Sequence, residues 1–280
     1  WTKPSFDRQP GVPPIEADTL VASLSASYPL VRPQGRNVSI DGGFDFINQE
    51  LDFIGPLSQD KLRVIWLGAS FDGVDMSRRI PRWRYNARAE LRSGLDIFDA
   101  SETCFGPQCA GITLTSRIDA DGTATLVRAA AEFEVSPTTR FSLALAPRAQ
   151  YAFDPVLAYE EYTVGNYTIG RGYDPGALTG DSGIGAKLEV RGPRFNIVDD
   201  GSLIAQPFAF VDWGKVWEKN DLGNADLLSV GGGFRGTITD RIFFDAALAV
   251  PLQDAPLTGR RGDVRLLFTL STRLLPWEMN

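Results

Sequence analysis

The chain has 280 residues, a formal charge of −7 and no histidine. The missing histidine removes serine–histidine and aspartate–histidine catalysis and histidine zinc sites, so the sequence reads as a non-enzyme with no metal and no cofactor. The acidic balance argues against nucleic acid as a partner, which would need a clustered basic face, and charges recur too often for the roughly 18 uninterrupted apolar residues of a membrane helix.

In chain order, residues 1–19 are predicted to be irregular or to hold a partial strand, because Pro4, Pro10, Pro13 and Pro14 suit no central strand. The chain opens on Trp1 without a charged-then-apolar leader, which reads as a processed or truncated piece of a longer precursor. From about residue 20 the pattern repeats every two residues. Strands are predicted near 20–31, 37–53, 61–72, 83–99, 123–136, 139–153, 184–191, 203–216, 226–238, 241–252 and 262–275.

The alternation sorts charge from oil. Trp83, Tyr85, Leu91 and Leu95 share one face of their strand, with Arg84, Arg88, Glu90 and Arg92 on the other. Val127 and Phe133 lie opposite Arg128, Glu132 and Glu134, and Leu143 and Leu145 lie opposite Arg148. A soluble sandwich with one wet face would alternate in the same way. Its strands usually run about 5–6 residues, whereas a tilted membrane strand needs about 9–11. Several runs here are longer than either, which favours an all-β, transmembrane antiparallel barrel. Trp83, Tyr28, Phe153, Trp213 and Trp217 near strand ends suit aromatic girdles. Short turns alternate with longer loops at 100–122, 154–183 and 217–225, as periplasmic turns and outer loops do. Eleven strands is odd where bacterial barrels are even. Either residues 1–19 hold a twelfth strand, or the chain is the C-terminal part of a larger barrel.

The charged inner set could line a conduit for an unfolded polypeptide, or could simply keep an aqueous wall wet. Glu132 and Glu134, two apart on one strand, read as lumen polarity rather than a glycosidase pair. Gly231-Gly232-Gly233 has no following helix to cradle phosphate, and predicts a bend or a close backbone approach. Cys104 and Cys109 flank a Gly106-Pro107 turn and are predicted to form a local disulfide, which implies an oxidising compartment.

The 154–183 loop carries Gly170-Arg171-Gly172-Tyr173, and a later strand carries Phe208-Ala209-Phe210-Val211-Asp212-Trp213-Gly214. By parity Phe208, Phe210 and Asp212 share the inner face. An arginine and a carboxylate meeting away from water form a bidentate, geometrically specific pair. Spacing alone leaves open an exposed loop arginine and an unrelated strand acid.

The order of these motifs resembles the C-terminal barrel portion of an outer-membrane two-partner secretion transporter, of the haemolysin secretion/activation family. That family lies in the superfamily of transporters with periplasmic POTRA domains, which includes the barrel assembly machinery. Gly170-Arg171-Gly172-Tyr173 is similar to the family's Val-Arg-Gly-Tyr/Phe loop motif, with glycine in place of valine. Gly180-Asp181-Ser182-Gly183 resembles its Gly-Asp-Arg-Gly, with serine in place of arginine. Glu189 and Arg191 fall in a stretch like its Glu-Leu-Arg strand, and Phe208, Phe210, Asp212 and Gly214 in the strand that carries the partner of the loop arginine.

The resemblance implies the last eleven or twelve strands of a sixteen-strand barrel in the bacterial outer membrane. It implies that loop 154–183 folds inward, with Arg171 latched to Asp212. The implied partner is a secreted haemolysin- or adhesin-type exoprotein, passed through a monomeric, lipid-bathed barrel with no nucleotide and no small-molecule substrate. Two other readings stand beside it: a membrane-protein assembly factor of the same superfamily, and a self-contained pore or autotransporter-type barrel.

Overall fold

The computed structural model describes residues 16–77, 81–103, 113–165, 169–220, 223–239, 241–256 and 259–272. Cys104 and Cys109 lie outside the described residues. The strands are β1 (Glu16–Val31), β2 (Arg36–Asp52), β3 (Pro56–Val74), β4 (Trp83–Gly94), β5 (Thr125–Val135), β6 (Ser142–Ala152), β7 (Tyr162–Val164), β8 (Leu178–Gly180), β9 (Ser182–Arg191), β10 (Phe195–Asn196), β11 (Leu203–Trp217), β12 (Asn224–Ile238), β13 (Ile242–Pro251) and β14 (Arg265–Thr272). One antiparallel sheet runs β1-β2-β3-β4-β5-β6-β9-β11-β12-β13-β14, with β10 paired to β11 alone. β7 and β8 form a separate hairpin.

All eleven predicted strands occur, and each pairs with the next, β6 with β9 across the inturned loop. Among the described residues the sheet is an open wall rather than a closed cylinder. β1 and β14 are its two edges, and each pairs on one side only among the described residues. The predicted strand 83–99 stops at Gly94. Phe98 and Asp99 take left-handed φ values of 49° and 60°, so the chain turns there instead of continuing the pleat. The alternation read through Leu95 therefore ends at Gly94.

Parity otherwise holds along the wall. Leu67, Leu91, Phe133, Leu143, Val211, Leu248, Leu266 and Phe268 all point outward and are exposed. A continuous band of apolar side chains of this kind belongs in lipid, because a water-soluble surface rarely carries so large an apolar patch. No helix among the described residues is long and apolar enough to cross a membrane. Here strands cross, and between the two edge strands the backbone N–H and C=O groups find their partners on the neighbouring strands.

The inner face is packed as well as wet. Tyr162, Val164, Ile169, Tyr173, Leu178, Val216 and Leu227 form one buried cluster, where the β7–β8 hairpin lies on β11 and β12. Phe208 and Phe210 of β11 pack on Ala247 and Ala249 of β13. The glycines of β12 make this possible. A Cβ on Gly231 would stand 2.5 Å from the Phe210 ring and 2.1 Å from the Leu248 carbonyl, so a side chain there would displace the ring. The Gly231–Gly233 run is thus a close-approach site, as its sequence suggested.

Candidate functional site

The residues between β6 and β9 dip into the space behind the wall and return. They pass through a 3-10 turn at Ala158–Glu160, form the β7–β8 hairpin, and carry Arg171 between its two strands. Gly170 sits at φ +94°, a conformation that a side chain would strain. Gly172 passes so close to the wall that a Cβ would lie 2.9 Å from both Ser229 Cβ and the Pro251 nitrogen. The two glycines therefore let the tip turn and touch, which places the arginine between them.

Arg171 meets Asp212 of β11 by three contacts. Its backbone N–H donates to Oδ2 at 3.0 Å, its Nε to Oδ2 at 2.8 Å, and its terminal nitrogen to Oδ1 at 2.7 Å. Its guanidinium carbon lies 3.5 Å from the centre of the Phe210 ring, and its other nitrogen reaches Glu189 of β9 at 3.2 Å. Asp212 is completely buried. A planar fork, a two-oxygen acceptor and an aromatic face together select arginine over lysine. Tyr173 completes the seat. Its hydroxyl lies 2.8 Å from the Leu228 carbonyl and accepts the Gln253 N–H at 2.9 Å.

Glu189 is shared by three arginines: Arg171, Arg191 at 2.6 Å and Arg235 of β12 at 2.8 Å. Arg235 also reaches Asp245 at 3.2 Å and lies over the Phe208 ring. Arg191 continues to Glu134 at 2.7 Å, which also pairs with Arg84. These groups, with Glu132 and Lys187, line a cavity of about 660 Å³. Gly214 faces Val164 and Ile169 of the loop, where a Cβ would come within 2.8 Å of Val164.

The remaining inner charges form a second network. Arg92 bonds Glu90 at 2.8 Å, Asp45 of β2 at 2.9 Å and Glu160 of the loop at 2.9 Å. Arg128 pairs with Glu160 and bonds Gln150 at 2.8 Å. Arg88 lies between Glu90 and Asp41 of β2. Arg148 shares the inner parity of Gln150 on β6. Arg88, Arg92 and Arg128 thus face acids rather than forming a row of free charges.

A third cluster lies at the long-loop end. Asp181, just before β9 and past Gly180, is completely buried. It accepts the Val156 and Lys219 N–H groups, both at 2.8 Å, and Arg117 at 2.6 Å. Arg117 comes from the β4–β5 loop and also pairs with Asp119, Glu161 and Glu218. Burial, offset in part by Arg117, pushes the Glu161 carboxyl above its usual range. Burial and a proton shared with Asp181 do the same to Glu218. Burial works against ionisation of Asp181, but the two backbone N–H groups and Arg117 hold its carboxyl below the usual range.

Arg117→Ala should therefore leave four acids facing one another and free the outer loops at neutral pH. A carboxyl raised on folding supports the folded arrangement below its ordinary value, about 4.3 for glutamate, and loses that contribution as pH rises through the raised value. Proteinase K should cut the loops of the Arg117→Ala variant faster than wild type at neutral pH, and the difference should shrink on mild acidification.

Sequence reading missed Glu160, Glu161, Arg117, Asp41 and Asp45. The acid pair Glu160-Glu161, set in a loop expected to turn inward beside strands rich in inner arginines, was the available signal. Among the described residues no three His, Cys, Asp or Glu side chains are placed to hold a metal ion.

A membrane-spanning β wall with an inturned, arginine-tipped loop seated on its inner face defines a class of outer-membrane barrel proteins. The family model for the haemolysin secretion/activation protein ShlB/FhaC/HecB matches residues 17–236, and the chain belongs to that family. Its setting is the bacterial outer membrane. Among solved structures it is similar to CdiB from Escherichia coli, with TM-score 0.78, 16% identity and 96% of this chain covered against 48% of that one. CdiB from Acinetobacter baumannii matches with TM-score 0.67 and 18% identity, over 92% of this chain and 42% of that one. BamA from Haemophilus ducreyi lacking POTRA domains 1–3 matches with TM-score 0.63 and 12% identity, over 97% and 57%. The chain spans about half the length of these structures. No curated protein is similar enough in sequence to match.

Proposed function

We propose that the intact protein is an outer-membrane transporter that secretes a large partner exoprotein, of haemolysin or adhesin type, from periplasm to cell surface. Arg171 and Asp212 act as the latch that positions the inturned loop within the lumen. The observation that carries this reading is the threefold contact of Arg171 with the buried Asp212 at the tip of a loop occupying the lumen. Membership of the haemolysin secretion/activation family supports it. So does the charged lining, which could pass an extended polypeptide without giving any segment a strong apolar hold. No catalytic step, nucleotide or metal enters this reading, and the barrel works as a monomer in lipid.

The test is secretion. With the intact protein present, an exoprotein encoded beside its gene should reach the medium, and without it the exoprotein should stay in the periplasm. Unchanged release on deletion, with a fall in other outer-membrane barrels, would replace this reading with that of an assembly factor.

A further inference from the structure

The Arg171 contact fixes only the tip of the inturned loop. The base of the same loop is held elsewhere. Glu160 closes its 3-10 turn and is 4% exposed, although glutamate is almost never buried unless it is paired. It is paired on both oxygens. Oε1 takes Arg92 of β4 at 2.9 Å, and Oε2 takes Arg128 of β5. Its backbone carbonyl accepts Gln150 of β6 at 2.7 Å and Arg128 at 3.1 Å.

The two attachments share no residue. The base binds the β4–β5–β6 sector of the wall, and the tip binds the β9–β11–β12 sector. The two sectors adjoin at the β6–β9 pair, so base and tip are tied to different strands of one wall. A chain segment tied at one end can swing, whereas one tied at both ends is held against the inner face.

We infer that Glu160 is a second positioning residue, whose clasp by Arg92 and Arg128 holds the base of the inturned loop to the β4–β5–β6 sector of the inner wall independently of the Arg171–Asp212 contact at its tip. This rests on the reading above that the inturned loop is positioned within the lumen of a transporting barrel, where its place sets how far the pore is open. Its readout is ion conductance, which needs no exported partner, so it can fail while the secretion reading stands.

The experiment compares wild type, Glu160→Gln, Asp212→Ala and the double variant of the intact protein in planar bilayers. Heat-modifiable migration in gels serves as the control for folding. Glu160→Gln keeps the shape and removes the charge, and Glu160→Asp restores the charge. Glu160→Gln should raise open probability by about tenfold or more, as loss of one partner of a buried charge pair implies, and Glu160→Asp should return part of the way. Independence requires the two effects to multiply in the double variant, because energies of uncoupled sites add. If Glu160→Gln conducts like wild type, or the double variant conducts no more than Asp212→Ala, the inference is overturned. Should Glu160→Gln fail to fold, Arg128→Gln measured in the same way decides the matter by the same criteria.

Discussion

Asp212→Ala is expected to free the tip of the inturned loop, raise the conductance of the pore and reduce secretion of the exported partner. The carboxylate is completely buried and accepts three bonds from one residue, including the backbone N–H that fixes the Gly170–Gly172 turn. Truncation leaves Arg171 with only its 3.2 Å contact to Glu189, beside Arg191 and Arg235, which already share that acid. A buried charge stripped of its main partner costs about 3–5 kcal/mol. The apolar packing of Tyr162, Val164, Ile169 and Leu178 on Val216 and Leu227 opposes release, and the guanidinium still lies over Phe210. These contacts lie mostly in the hairpin stem, so the tip should move and the stem stay. Bilayer recordings and exoprotein in the culture medium check the result. Unchanged conductance together with unchanged secretion would reject the latch.

Glu189→Gln should act in a different way. Glu189 is the acid on which Arg171, Arg191 and Arg235 converge, at 3.2, 2.6 and 2.8 Å. The neutral amide keeps the volume but removes the charge that lets three guanidiniums lie together. Arg171 keeps Asp212, Arg191 keeps Glu134 and Arg235 keeps Asp245, so each arginine retains an acid and the loop should stay seated. The local cost is about 2–3 kcal/mol, at the lower end of that for breaking a buried charged pair. The cavity of about 660 Å³ gains one net positive charge. The expected signature is a shift of the reversal potential toward anion selectivity under a salt gradient, with secretion reduced less than by Asp212→Ala. A reversal potential equal to that of wild type would show that this cavity is not on the ion path.

The wall was legible because its signal is redundant. Each long strand states the same oily-or-charged choice many times, and a one-residue slip would turn every side chain to the wrong face. Arg84, Glu90, Arg92, Arg128 and Glu134 could therefore be assigned inward from parity, and the structure pairs them there. The β7–β8 hairpin could not be read, since three-residue strands carry no period. Leu95 shows the limit of parity, for the alternation continues past Gly94 while the strand ends there and the backbone turns at Phe98 and Asp99. Arg171 and Asp212 came from motif order, supported by the parity of Phe208, Phe210 and Asp212. Glu160 and Arg117 were missed because nothing local fixes a loop side chain. Their charged partners lie mostly more than thirty residues away in the chain, Arg92 and Arg128 for Glu160, and Glu161, Asp181 and Glu218 for Arg117.

The tip of the loop is also fastened to the far margin of the wall. Arg265, the first residue of β14, donates to the Tyr173 carbonyl at 3.0 Å and pairs with Asp174. Among the described residues β14 has one ladder partner, β13, and a strand held by a ladder on one side is the element most easily peeled from a sheet. The loop thus stitches the hem of the fabric from within. Withdrawing it would slacken the outermost thread as well as unblock the passage, so the width of the opening and the firmness of the border are mechanically tied.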